Sequence, residues 1–159
     1  MNNIMRRKDR EVLEYSKMIE IMKKCDCCRL GFNDEKGAYI VPMNFAVKEN
    51  KDEVVLYFHS AAEGKKIDLI KEQKYAGFEM DTKHELVESK AACGYSFLYQ
   101  SIIGSGEISL VDNAEEKING LQCIMEHYSN KSDWNITEAM VKKLAIIKLI
   151  VKEWACKEH

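Results

Sequence analysis

Between residues 29 and 60 the chain offers three short runs rich in β-branched and aromatic side chains, 29–32, 38–47 and 54–60, separated only by polar turns. Connections this short cannot carry a crossover helix, so neighbouring runs must pair antiparallel. Asn-Asp-Glu-Lys-Gly at 33–37 turns the first two into a hairpin, and 48–53 is a second polar turn. The third run has period-two faces, with Leu56, Phe58 and Ser60 on one side and Val55, Tyr57 and His59 on the other. The single proline, Pro42, falls inside the second run, where it cannot donate a ladder hydrogen bond. It marks an edge, a bulge or a place where a ligand displaces a neighbouring strand.

Around these runs the pattern alternates between helix and strand. Residues 9–24 place Val12, Tyr15, Ile19 and Met22 at three- and four-residue steps, which predicts an N-terminal amphipathic helix. A short helix is expected over 63–73, a strand over 75–81, and 82–92 has no clear assignment. Residues 95–111 read as a long β stretch with a natural bulge or bend at Gly104-Ser105-Gly106. Asn113 precedes Glu116 at capping-box spacing, and Ala114, Ile118, Leu121, Ile124 and Tyr128 follow at helical period. A loop over 130–135, a helical segment over 136–144 and a β-branched final strand over 145–154 complete the chain. Roughly six strands with three or four helices predict a mainly β, antiparallel barrel with helices at its periphery.

At 159 residues the chain is expected to be one domain over 1–159. Its 24 Lys+Arg against 26 Asp+Glu give a net charge of −2, which provides no general positive field for nucleic acid or a membrane surface. Any anion site must therefore be local, and neither a nucleic-acid nor a membrane partner is expected. The charged start lacks the apolar stretch of a secretory signal, and the apolar run 145–151 is interrupted by Lys148. These features predict a cytoplasmic protein with reduced thiols. The cysteines at 25, 27, 28, 93, 123 and 156 include a crowded trio but no second pair at zinc-ligand spacing, so no metal site is predicted.

The most chemical segment is 59–66, His-Ser-Ala-Ala-Glu-Gly-Lys-Lys, immediately before a helix. Helix N-terminal amides favour an anion, and a hydroxyl and two ammonium groups can add to the grip on a phosphate. The same residues also read as a solvated turn with surface lysines, and His59 alone as a hydrogen-bonded strand-end histidine. Serine-hydrolase, zincin and Rossmann patterns are absent from the sequence.

Four blocks together carry a family pattern: Arg-Leu-Gly-Phe at 29–32, Ala-Tyr-Ile-Val-Pro-Met-Asn-Phe at 38–45, Leu-Tyr-Phe-His-Ser-Ala-Ala-Glu-Gly-Lys-Lys-Ile-Asp-Leu-Ile at 56–70, and Tyr-Gln-Ser-Ile-Ile-Gly-Ser-Gly at 99–106. In order and spacing the chain resembles the nitroimidazole-resistance branch of the pyridoxamine-phosphate-oxidase-like, flavin-binding split-barrel proteins. The resemblance implies a six-stranded antiparallel split β-barrel that forms a homodimer, with flavin sites at the subunit interface. It implies that the flavin ring lies against Val41, Pro42, Met43, Asn44 and Phe45. His59, Ser60, Lys65 and Lys66 would hold the phosphate, Ser101 would be a further contact, and His59 would also be the catalytic candidate. The cofactor implied is FMN, with FAD not separated from it.

By the same resemblance the function would be a flavin-dependent oxidoreductase passing electrons to small acceptors such as nitroimidazoles. A non-catalytic flavin- or haem-binding module for storage or sensing is the alternative. Oxidation of pyridoxamine phosphate itself is not expected, because the tail 152–159 lacks the arginines of those oxidases. Lysine stands at 65 where they carry arginine, which gives up a bidentate phosphate grip.

Overall fold

A computed structural model describes residues 5–159. The N-terminal segment is less helical than its periodicity predicts. Lys8–Arg10 form a single 3-10 turn, strand β1 (Glu11–Val12) follows, and helix α1 begins only at Tyr15, spanning Tyr15–Lys24. The displacement has a backbone cause: Glu11 and Val12 pair with Lys157 and Cys156 of the last strand, an option that helical periodicity cannot reveal. Within α1, Met18, Ile19, Ile21 and Met22 are buried, whereas Tyr15 at the predicted stripe is 49% exposed.

The main strands are β2 (Cys28–Asp34), β3 (Gly37–Met43), β4 (Phe45–Asn50), β5 (Glu53–Ala61), β6 (Tyr75–Val87), β7 (Ser96–Leu110) and β8 (Leu144–Glu158). Every pairing is antiparallel, in the order β3-β2-β6-β7-β8-β5-β4. The run expected as one strand over 38–47 divides at Asn44. Its first half bonds to β2 and its second to β5, so consecutive strands occupy the two ends of the sheet order. The sheet is thereby drawn into a barrel by one bent segment. The structure thus has seven main strands and the two-residue β1 where six are expected, the added main strand coming from the division of 38–47, while the mainly β, antiparallel class holds. Pro42 sits opposite Arg29 on β3, an edge strand, where the missing amide leaves no gap in a second ladder.

Residues 82–92, without an assignment from sequence, mostly extend β6, with a register shift between Thr82 and Glu85 and Lys83 at φ 58°. The expected irregularity in β7 is also present, as a shift between Ser105 and Gly106 against β8. A Cβ at Gly106 would collide with the Ile150 carbonyl oxygen, so bare backbone is needed there.

The interior gathers Leu30, Phe45, Leu56, Phe58, Met80 and Ile147, with α1 and helix α2 (Lys65–Gln73) closing over it. Helix α3 (Ala114–Ser129) starts where the capping box predicts: Asn113 Oδ1 accepts from the Glu116 amide at 2.9 Å. Against the outer face of β4, β5 and β8 it buries a second cluster of Ala46, Val55, Tyr57, Ile124 and Ile146. Strand β5 is therefore covered on both faces, Leu56 and Phe58 inward and Val55 and Tyr57 toward α3. Helix α4 (Glu138–Lys142) is a short connection to β8. No helix among the described residues is long and apolar enough to cross a membrane.

Gly106→Ala is expected to lower stability by more than ~3 kcal/mol, since the collision is with backbone rather than a movable side chain. At this chain length that corresponds to a fall in Tm of roughly 10 °C. Gly31→Ala, whose added carbon would meet nothing closer than 3.9 Å, should stay near wild type. Thermal unfolding followed by circular dichroism of the two variants separates them.

Candidate functional site

Where β5 runs out, its burial stops and its chemistry begins. His59 and Ser60 pair with Ile146 and Ala145 of β8, half-buried at the rim of the barrel. His59 shares its face with Val55 and Tyr57, as the period-two pattern predicts, but lies beyond their burial. Its Nδ1 is buried and has no hydrogen-bond partner among the described residues, so the reading of His59 as a satisfied strand-end histidine does not hold there for that nitrogen. Such a group carries a desolvation cost of ~1–3 kcal/mol unless something bonds to it. The Ser60 hydroxyl donates to the Ala61 carbonyl at 2.8 Å.

Helix α2 starts immediately afterwards. Its N-cap is Gly64, at φ 132°, a conformation that side-chain-bearing residues rarely adopt. No side chain caps this end, and the first amides of a helix, here those of Lys65 and Lys66, have no intrahelical acceptor. The two lysines then part. Lys65 Nζ lies 2.5 Å from Asp34 Oδ2 and 4.9 Å from the centre of the Tyr39 ring, which ties it to the β2–β3 hairpin. The hydrogen bond from Lys65 holds the Asp34 carboxyl below its ordinary pKa. Lys66, half-buried, makes no ion pair among the described residues.

The bend between β3 and β4 lies next to this strand end, because Phe45 pairs with Phe58, the neighbour of His59. Val41 is half-buried, Pro42 and Asn44 are exposed, and Met43 and Phe45 point into the core. The Phe45 amide donates to the Tyr128 hydroxyl at 3.2 Å, and that hydroxyl donates to the Asp26 carbonyl at 2.6 Å. Beside it His127 Nε2 is 2.9 Å from the Cys25 carbonyl, with its ring 4.8 Å from that of Phe45. Sequence reasoning places Tyr128 on a helical stripe and does not single out His127. Their contact with the bend spans some eighty residues, and no local pattern encodes it.

Ser101 does not join this group within one chain. It lies half-buried on β7, opposite Lys157 of β8, whereas His59 is opposite Ile146. Eleven residues of β8 separate those two levels, about 36 Å along the strand at ~3.3 Å per residue. The larger grooves are elsewhere as well: one of about 560 Å³ between β1, β7 and β8, another of about 590 Å³ between α1, β4 and α3. The strand end, joined to the bend through the Phe45–Phe58 pair, and the start of α2 make up an exposed to half-buried shelf.

The thiols divide by environment. Cys25 is fully buried, burial pushes its pKa up to about 12, and its Sγ donates to the Ile21 carbonyl at 3.3 Å. Burial raises Cys28 as well, whereas Cys93 is exposed. Since the thiolate is the nucleophile, iodoacetamide at pH 8 should label Cys93 and leave Cys25 and Cys28 unmodified until the chain is unfolded. Peptide mass mapping reads this directly, and rapid native labelling of Cys25 would contradict it.

Comparison with known proteins places the chain among others of this shape. The family model described as Pyridoxamine 5'-phosphate oxidase matches residues 15–153. A crystal structure of a candidate 5-nitroimidazole antibiotic resistance protein from Bacteroides thetaiotaomicron superposes with a TM-score of 0.79 at 28% identity, covering 93% of this chain and 86% of that one. A flavocytochrome from Azotobacter vinelandii superposes with a TM-score of 0.79 at 14% identity, over 98% of this chain and 72% of that one. A FAD and heme binding protein from Mycobacterium smegmatis gives 0.78 at 13% identity, over 94% and 73%. At such low identity these last two share the fold alone. No curated protein sequence matches the chain.

Proposed function

The chain belongs to the pyridoxamine 5'-phosphate oxidase family, and on that premise we infer that it is a flavin-binding protein, with FMN as cofactor, acting as a reductase of small acceptors such as nitroimidazoles. The observation that carries this reading is the shelf itself: among the described residues, a buried His59 Nδ1 without a partner, an uncapped helix N-terminus and a lysine that makes no ion pair. Those groups fit a phosphate monoester joined to a larger polar ring system. The α2 amides and Lys66 would take the phosphate, with Ser60 turning its hydroxyl from the Ala61 carbonyl toward the same oxygens. Lys65 would contribute less, because Asp34 already compensates its charge.

The bound flavin would supply the redox chemistry, which side chains alone do not offer. The backbone of 41–44 would orient its ring and exclude water from one face. His59, half-buried at the rim, would be the catalytic candidate beside the acceptor. The 28% identical relative, described as a candidate nitroimidazole resistance protein, supports the acceptor class.

Ser101 belongs in this scheme only if a second copy supplies it, since the strand path places it far from His59 of its own chain. A homodimer with the cofactor at the subunit interface would convert the shelf into an enclosed site. The haem-binding fold relatives favour a second reading, a flavin or haem carrier without turnover. An absorption spectrum of the purified protein decides between them, flavin bands supporting the first and a Soret band the second.

Lys66→Ala is expected to weaken FMN binding about tenfold, or ~1.4 kcal/mol, with Lys65→Ala affecting it less. Fluorescence titration with FMN measures both. Equal losses, or an unchanged Kd in Lys66→Ala, would remove the phosphate assignment.

A further inference from the structure

The hydrogen bonds at the β3–β4 bend converge on one hydroxyl. In the β2–β3 ladder Cys28 pairs with Met43, the last pair before the bend. Continuing that register by two residues would set Asp26 opposite Phe45, and a direct bond between the Phe45 amide and the Asp26 carbonyl would be the next rung. That rung is interrupted. The Tyr128 hydroxyl stands in it, accepting from Phe45 at 3.2 Å and donating to Asp26 at 2.6 Å. A phenol has one proton to give and lone pairs to receive, so the insertion satisfies both backbone groups while keeping the strands apart. His127 supports the same arrangement: the Cys25 carbonyl can only accept, so Nε2 must carry the proton that bonds it, and the ring packs on Phe45.

A closed rung would carry β3 straight on along β2. With the hydroxyl inserted, the chain leaves β2 after Met43, turns at the exposed Asn44 and enters β4 against β5. The last turn of α3 therefore sets where the bend falls. It also sets how the backbone of 41–44 is presented at the shelf beside His59.

Resting on the flavin reading, we propose that Tyr128 is a positioning residue of the cofactor site: its hydroxyl, inserted between the Phe45 amide and the Asp26 carbonyl, holds the β2–β3 ladder open so that residues 41–44 face the cofactor. Tyr128 acts through this backbone and needs no contact of its own with the ligand. Tyr57 is the natural control. It sits on the strand beside the bend, opposite Ala46, but its hydroxyl bonds to the other end of α3, at 3.2 Å from Glu116 Oε1, and to neither the Phe45 amide nor the Asp26 carbonyl.

The test compares wild type, Tyr128→Phe and Tyr57→Phe by FMN titration, by the visible bands of bound FMN, and by amide hydrogen exchange over 43–46 in FMN-free protein. Tyr128→Phe should bind FMN about tenfold more weakly, shift the bands and exchange faster over 43–46, while Tyr57→Phe matches wild type in all three. Wild-type affinity with unmoved bands in Tyr128→Phe would overturn the proposal. An equal loss in Tyr57→Phe would overturn it too, by showing that general loosening of α3 is the cause. A wild-type chain that takes up no FMN brings down the flavin reading and the positioning role with it. That failure is recognised because the exchange difference over 43–46 remains.

Discussion

One extended segment, residues 37–50, must satisfy its backbone on two different strands, and the architecture follows from how it does so. A strand has two hydrogen-bonding edges, but β3 uses only the one facing β2 and β4 only the one facing β5. The change of partner at Asn44 is what brings the two ends of the sheet order together. Pro42 fits this arrangement because its missing amide falls on a strand with one neighbour. Phe45 fits because its amide, withdrawn from the β2 ladder, finds the Tyr128 hydroxyl. The barrel, the bend and the shelf beside His59 are consequences of a single distribution of backbone bonds.

Much of this architecture is legible in the residues. The alternation in 54–60 places His59 on the correct face, Asn113 and Glu116 locate the start of α3 correctly, and Gly104 to Gly106 mark a real irregularity. What escapes is long-range. Residues 38–47 are rich in strand formers, and Asn44 is too weak a signal to divide them when the division lies in a change of partner strand. Glu11 and Val12 look helical because period alone cannot register a partner strand at the far end of the chain. The site is legible as a set of residue types but not as an allocation of bonds. Two adjacent lysines read alike in sequence, yet an aspartate on the neighbouring hairpin engages one, while the other has no ion pair among the described residues. Ser101 shows the same limit, since a motif gives its identity without its distance from His59.

Helix α3 links the two halves of the molecule in a way its amphipathic pattern does not suggest. Near its start, Glu116 accepts from Tyr57 at 3.2 Å and pairs with Lys148 at 2.7 Å, fixing it to β5 and β8. The hydrogen bond from Lys148, more than any other influence, holds the Glu116 carboxyl below its ordinary pKa. The favourable contribution of this pair is therefore present above the ordinary glutamate range and fades as pH falls through the lowered value. At the other end His127 and Tyr128 grip the α1–β2 corner and the bend. The same helix covers an apolar face and completes backbone bonding.

The double covering of β5 divides that strand into two evolutionary regimes. From Val54 to Phe58 each side chain is packed, alternately by the barrel interior and by α3, so a change of size on either face is felt at once. From His59 onward the walls end, and the four residues before Gly64 and α2 carry no core contacts to preserve. Substitutions can accumulate in this short stretch without disturbing the fold. A lineage built on this scaffold can thus exchange chemistry at the end of one strand while the preceding five positions stay fixed.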